Sequence, residues 1–300
     1  MSTPHRGVVA RWTPGEMCVT MSGFIQRLLF VALLAAWCVG RAAERGGKAV
    51  EADGDVPVPE FGAAAAGTVV DRTTAGKAGI PYHVYFPTSY TGKNDLPLLV
   101  AFSPSGDGMG MLNALKGSAE KVQWILVGCD RLSNDTESTR EDLAMEKEVM
   151  DEVLAKVPHD VQRLYLAGFS GGAMRAYSMS FRRTERIAGI IAYGGWLGGA
   201  ETADEKFCKY MSVAIVNGRR DNNASSWAEK DAKVLEKRRC HVRLFAFDGG
   251  HELAPAAVTD EVVTWLEEEW QEFGAKKGAA GGRSGGSRAP STRPKPRDAR

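Results

Sequence analysis

The sequence predicts an α/β domain: a mostly parallel central sheet of about eight strands flanked by helices, with no large lid. Three observations carry this prediction. Strand-like runs recur from residue 67 to residue 247, and the later ones are continuous apolar stretches such as PLLVAFS (97–103), IAGIIAY (187–193) and MSVAIV (211–216). Such runs suit parallel strands covered on both faces. Helical periods lie between them: Met145, Val149, Val153 and Val157 repeat every four residues, and Val262, Leu266, Trp270 and Phe273 nearly so. The alternation fills about 210 residues, the size of one compact domain.

The elements fall in a clear order. Candidate strands are 67–72, 81–86, 97–103, 123–129, 163–167, 187–193, 211–216 and 242–247, within a domain expected over 66–274. Ahead of them, LLFVALLAAWCVG (28–40) is an uncharged apolar run of 13 residues with Arg27 before it and Gly40, Ala42 and Ala43 after. Basic flank, short apolar run and small-residue exit describe a secretory signal peptide over 1–43, with Met21 as an alternative start. A secreted or periplasmic chain is expected, with no stable membrane span after cleavage; an uncleaved anchor is the alternative. Residues 44–65 are Gly-, Ala-, Pro- and acid-rich and read as a linker. Residues 275–300 are basic, low in complexity and without a large apolar side chain, so a disordered tail is expected.

Charge excludes one class of function. Residues 44–274 carry 26 basic and 35 acidic side chains, a net of −9, which does not suit nucleic-acid binding. The five histidines are too scattered to suggest a metal site.

The segment LYLAGFSGGAMRA (164–176) passes from a strand into a helix through Gly168-Phe169-Ser170-Gly171-Gly172. This is G-x-S-x-G in the strand–turn–helix setting that makes it informative. A serine at so sharp a corner has strained backbone, and the positions two before and two after it crowd the neighbouring strand and helix, where only glycine fits. A free hydroxyl is a poor nucleophile and needs a base. His251, in FDGGHEL after the last strand, follows two glycines at the carboxyl end of the sheet, where ligand chemistry collects. An acid is expected between serine and histidine. Asp221, just after the strand MSVAIV, fits, and Asp248 is a competitor better suited to forming a turn. Ser170 is thus the candidate nucleophile, His251 the base and Asp221 its orienting acid.

With these three residues in this order the chain resembles the α/β-hydrolases, and in particular their small secreted esterase and polyhydroxybutyrate-depolymerase-like branch. The segments PLLVAFSPSGDG, DVQRLYLAGFSGGA and DGGHE carry the likeness, which spans roughly 66–273. The resemblance implies a carboxylic-ester hydrolase working through an acyl-enzyme, without a cofactor, on a small or polymeric ester. A serine peptidase of the same fold and a lapsed hydrolase acting as a binding protein are the alternatives. Family members usually carry His-Gly after the third strand, where a backbone N–H completes the oxyanion hole. Here Ser103 and Pro104 stand there, and proline has no N–H. The implied donors are therefore Ser105 and Gly171. Trp196, in AYGGWLGG, is the candidate for lining the acyl pocket, with core packing as the plain alternative. In this fold Cys208 and Cys240 each precede one of two adjacent parallel strands, which implies a Cys208–Cys240 disulfide and leaves Cys129 a thiol. SGDGMGMLNAL resembles a dinucleotide turn, but Met111 or Asn113 falls where a third small residue is required, so no cofactor is expected.

Overall fold

The computed structural model describes residues 61–93, 95–136, 139–198 and 210–274. The signal segment 1–43 with Met21, the tail 275–300 and Cys208 lie outside the described residues. In chain order the elements are β1 (Val69–Thr73), β2 (Pro81–Tyr85), β3 (Leu98–Phe102), α1 (Gly108–Val122), β4 (Ile125–Cys129), α2 (Thr139–Lys156), β5 (Leu164–Phe169) and α3 (Gly171–Arg182). They continue with β6 (Ile187–Tyr193), β7 (Ser212–Gly218), α4 (Asn222–Lys237), β8 (His241–Phe247) and α5 (Ala256–Glu269). Each strand lies within two residues of the bounds expected from sequence.

The strands form one sheet of order β1-β2-β4-β3-β5-β6-β7-β8. β2 runs antiparallel to both β1 and β4, and the neighbours from β4 to β8 are parallel. Alternate side chains enter two separate cores. Leu98, Val100 and Phe102 of β3 face one with α2, α3 and α4, while Leu99 and Ala101 face the other with α1 and α5. β3, β4, β6 and β7 are buried along their whole length, which is why their sequences read as unbroken apolar runs. Each such Val, Leu or Ile contributes about 1.5–3 kcal/mol by leaving water. β8 departs from this pattern. It is the edge strand, and Leu244 in VRLFAF is 46% exposed.

The linker expected over 44–65 overlaps the domain. Phe61 is buried, its ring centroid lies 5.0 Å from that of Phe86, and its carbonyl accepts the Tyr90 hydroxyl at 2.8 Å. A single aromatic in a run of small residues was enough to fix that end of the segment. The glycines of the SGDGMG loop have a packing role. A Cβ on Gly108 would meet the Cys129 backbone at 2.6 Å, so glycine lets α1 start directly against β4. Asp107 caps that helix, accepting the Gly110 N–H at 2.7 Å.

Candidate active site

Ser170 sits between the end of β5 and the start of α3 at φ 53° and ψ −117°. A non-glycine residue there costs about 1–3 kcal/mol and persists only when its surroundings dictate it. They do: the Ser170 N–H donates to the Tyr193 carbonyl at 2.8 Å, and its own carbonyl accepts from Ala173 at 3.0 Å. Gly171 opens α3, and its N–H is one of the unpaired donors of a helix N-terminus.

His251 arrives on the loop after β8. A Cβ on Gly218 would stand 2.3 Å from the Gly250 carbonyl oxygen, so glycine at the end of β7 lets that loop cross. The imidazole leans on Phe169, with ring centroids 4.9 Å apart, and lies beside Gly194. Its Nε2 is 3.0 Å from Ser170 Oγ and its Nδ1 is 2.7 Å from Asp221 Oδ2. Asp221 is buried and has two tasks. One oxygen faces His251, and the other caps α4 by accepting the Ala224 N–H at 3.1 Å. Asp248 is elsewhere, exposed and ion-paired with Arg220. The structure therefore brings Ser170, His251 and Asp221 together and leaves the competitor outside.

The other expected site residues divide. Trp196 is half-buried on the loop after β6 and belongs to neither core cluster. That loop borders the serine: a Cβ on Gly195 would lie 2.8 Å from the Ser170 carbonyl oxygen. Ser105 offers less than expected. Its N–H is directed at Ser103 Oγ at 3.3 Å, and the two hydroxyls are 2.9 Å apart. Cys240 is buried just before β8, and its expected partner Cys208 lies outside the described residues. Cys129 is a buried thiol at the end of β4, and burial, the largest cause, raises its pKa.

Sequence reasoning missed two supporting groups. Asp231 of α4 is buried and accepts the Leu197 N–H at 2.9 Å, which anchors the loop carrying Trp196. Arg175, one turn into α3, grips Asp142 through both amino groups at 2.9 and 2.8 Å and reaches Glu146 at 3.1 Å, tying the serine's helix to α2. Neither sits in a motif; each is visible only once the helices are packed. Among the described residues no cluster of three His, Cys, Asp or Glu side chains is placed to hold a metal ion.

No protein-family model matches the sequence, and no curated protein shows significant similarity to it. Solved structures do match. Esterase PE8 aligns at TM-score 0.51 and 19% identity, over 62% of this chain and 96% of its own. S-formylglutathione hydrolase FrmB from Staphylococcus aureus aligns at 0.51 and 12%, over 66% and 96%. A puromycin-hydrolyzing peptidase of Mycobacterium tuberculosis aligns at 0.52 and 15%, over 68% of this chain and 39% of its own. Likeness over nearly the whole of two such chains, with the strand order described above, gives this chain the α/β-hydrolase fold.

Proposed function

We propose that the protein is a secreted serine hydrolase that cleaves carboxylic esters through an acyl-enzyme. One observation carries the proposal: the Ser170–His251–Asp221 contacts at 3.0 and 2.7 Å, in the order nucleophile, base, acid. Asp221 accepts the Nδ1–H and so leaves Nε2 free to take the Ser170 proton. Ser170 Oγ attacks the ester carbonyl, and the negative charge moves to the carbonyl oxygen, opposite the Gly171 N–H. His251 returns the proton to the leaving alcohol. Water then repeats the sequence on the acyl-enzyme and frees the acid.

The esterase names among the structural neighbours support ester over peptide substrates. Export rests on the apolar segment 28–40. The test is hydrolysis of p-nitrophenyl acetate and butyrate by the parent chain and by Ser170→Ala, with fluorophosphonate labelling in parallel. Turnover and labelling that vanish together in the variant support the reading. Undiminished turnover in Ser170→Ala refutes it, and a folded parent that neither turns over nor labels is a lapsed hydrolase.

A further inference from the structure

The oxyanion loop after β3 poses a chemical problem. Pro104 has no N–H, and the next N–H, that of Ser105, is turned toward Ser103 Oγ. Gly171 alone leaves the developing charge with one backbone donor, where acyl transfer normally employs two or more.

A side chain from another loop lies beside Gly171, the residue that follows the serine. Asn134 lies between β4 and α2, and its N–H donates to the Pro104 carbonyl at 2.8 Å, while Ser105 and Ser133 form an isolated bridge beside it. The segment is thus stitched to the very loop that lacks the donor. The Asn134 carboxamide lies against Gly171: a Cβ there would fall 2.0 Å from Oδ1, 2.3 Å from Nδ2 and 2.5 Å from Cγ. With glycine at 171 the amide can rest directly against the backbone that follows the serine. The two residues also line one crevice of about 380 Å³ together with Ser133, Thr136, Met174 and Arg175. Asn134 is exposed, and its carboxamide makes no hydrogen bond among the described residues. A half-turn about Cβ–Cγ exchanges Oδ1 and Nδ2, so its N–H can be presented to an arriving oxyanion.

We propose that the Asn134 side-chain amide is the second oxyanion donor, replacing the backbone N–H that Pro104 removes. This rests on the proposed serine-hydrolase reading. No covalent bond is made or broken at Asn134; its N–H donates a hydrogen bond to the negatively charged carbonyl oxygen while Ser170 Oγ is bonded to the carbonyl carbon, and that hydrogen bond weakens when the carbonyl re-forms.

The experiment compares the parent chain with Asn134→Ala and Asn134→Asp on p-nitrophenyl acetate, with rates of fluorophosphonate labelling at Ser170 and melting curves. Loss of one such donor lowers kcat by about 100- to 1,000-fold. Asn134→Ala is expected to show that loss in kcat with KM within about three-fold, a parallel drop in labelling rate, and an unchanged Tm. Asn134→Asp, which sets a negative charge beside the oxyanion, is expected to fall further. A kcat within three-fold of the parent in Asn134→Ala, with the parent active and labelled, overturns the assignment and leaves the Ser170 mechanism standing. A parent that is neither active nor labelled overturns both.

Discussion

Gly168 and Gly172 face each other across the serine corner so closely that a Cβ on Gly168 would stand 2.1 Å from the Gly172 carbonyl carbon. A Cβ on Gly172 would in turn meet the Phe102 carbonyl oxygen at 2.2 Å. The obstacles are backbone atoms of β3 and α3, which cannot swing aside as a side-chain end can. Gly168→Ala or Gly172→Ala should each cost at least the ~1–3 kcal/mol typical of overpacking. In a domain of this size Tm falls about 2–4 °C for each kcal/mol. Gly117→Ala is the control, because nothing lies within 4 Å of its Cβ position and the site is on an exposed face of α1. Replacing that helical glycine should raise stability by up to ~1 kcal/mol. Equal melting of all three variants would contradict the steric account.

Asp221 and Asp248 are separated cleanly by kinetics. Asp221→Asn keeps a carbonyl oxygen to cap Ala224, so its Tm should stay close to that of the parent. It can no longer hold the Nδ1–H tautomer of His251, and kcat should fall about 10⁴-fold. Asp248→Asn breaks only an exposed pair with Arg220 and should leave kcat within two-fold. A reversal of these two outcomes would move the acid to Asp248.

The strands were legible because their burial is two-sided. A segment such as IAGIIAY, buried at every residue of β6, has no polar face to confuse the period. The serine corner was legible because glycine spacing reports backbone crowding directly. What the sequence hid depends on contacts between distant segments. Asn134 is 37 residues from Gly171 in sequence, and nothing around it marks it as a neighbour of the serine. The direction of the Ser105 N–H follows from a local turn closed by Ser103 Oγ, and several turn forms fit the letters SPSG equally well. Phe61 was lost in the linker because its burial depends on Phe86 and Tyr90, over 20 residues downstream. β8 shows the converse: the letters VRLFAF mark a strand without saying that it lies at the edge of the sheet with Leu244 exposed.

His83 links β1, β2 and the end of β4. Nδ1 is 2.7 Å from Asp71 and Nε2 is 3.1 Å from Asp130, whose other oxygen accepts the Gly108 N–H at 2.7 Å. Burial alone would lower the imidazole pKa; hydrogen bonds to the two carboxylates outweigh it, and the net shift is upward from 6.5. A raised value means that the folded state holds the proton more tightly. The stabilisation is complete below the unfolded value of 6.5 and is lost as pH climbs through the folded value. Asp71 is largely exposed, so the contribution is of order 0.5–1 kcal/mol. His83→Gln should therefore lower Tm by about 1–4 °C at pH 6 and hardly at all at pH 9. A deficit that grows with pH would reverse the assigned charge state.

Asp231 offers the opposite experiment, in which removing a charge should help. Burial raises its pKa above the usual carboxylate value, with the Leu197 N–H and Lys230 opposing. A raised carboxyl value again means tighter proton binding in the folded state, so the side chain favours folding most below its unfolded pKa and least once ionised. Near neutral pH the protein therefore holds a buried carboxylate whose desolvation the Leu197 N–H and the Lys230 charge only partly offset. Asp231→Asn keeps an oxygen for Leu197 and removes the charge. Its Tm should exceed the parent's by about 2–4 °C at pH 7.5, the change that ~1 kcal/mol makes in a domain of this size. The gap should narrow as pH falls toward 4 and the parent's own carboxyl takes up its proton. Because the Leu197 contact survives, the loop with Trp196 stays anchored and kcat should not change. An Asp231→Asn chain less stable than the parent at pH 7.5 but equal to it at low pH would show that the carboxylate's negative charge, and not merely its oxygen, holds that loop.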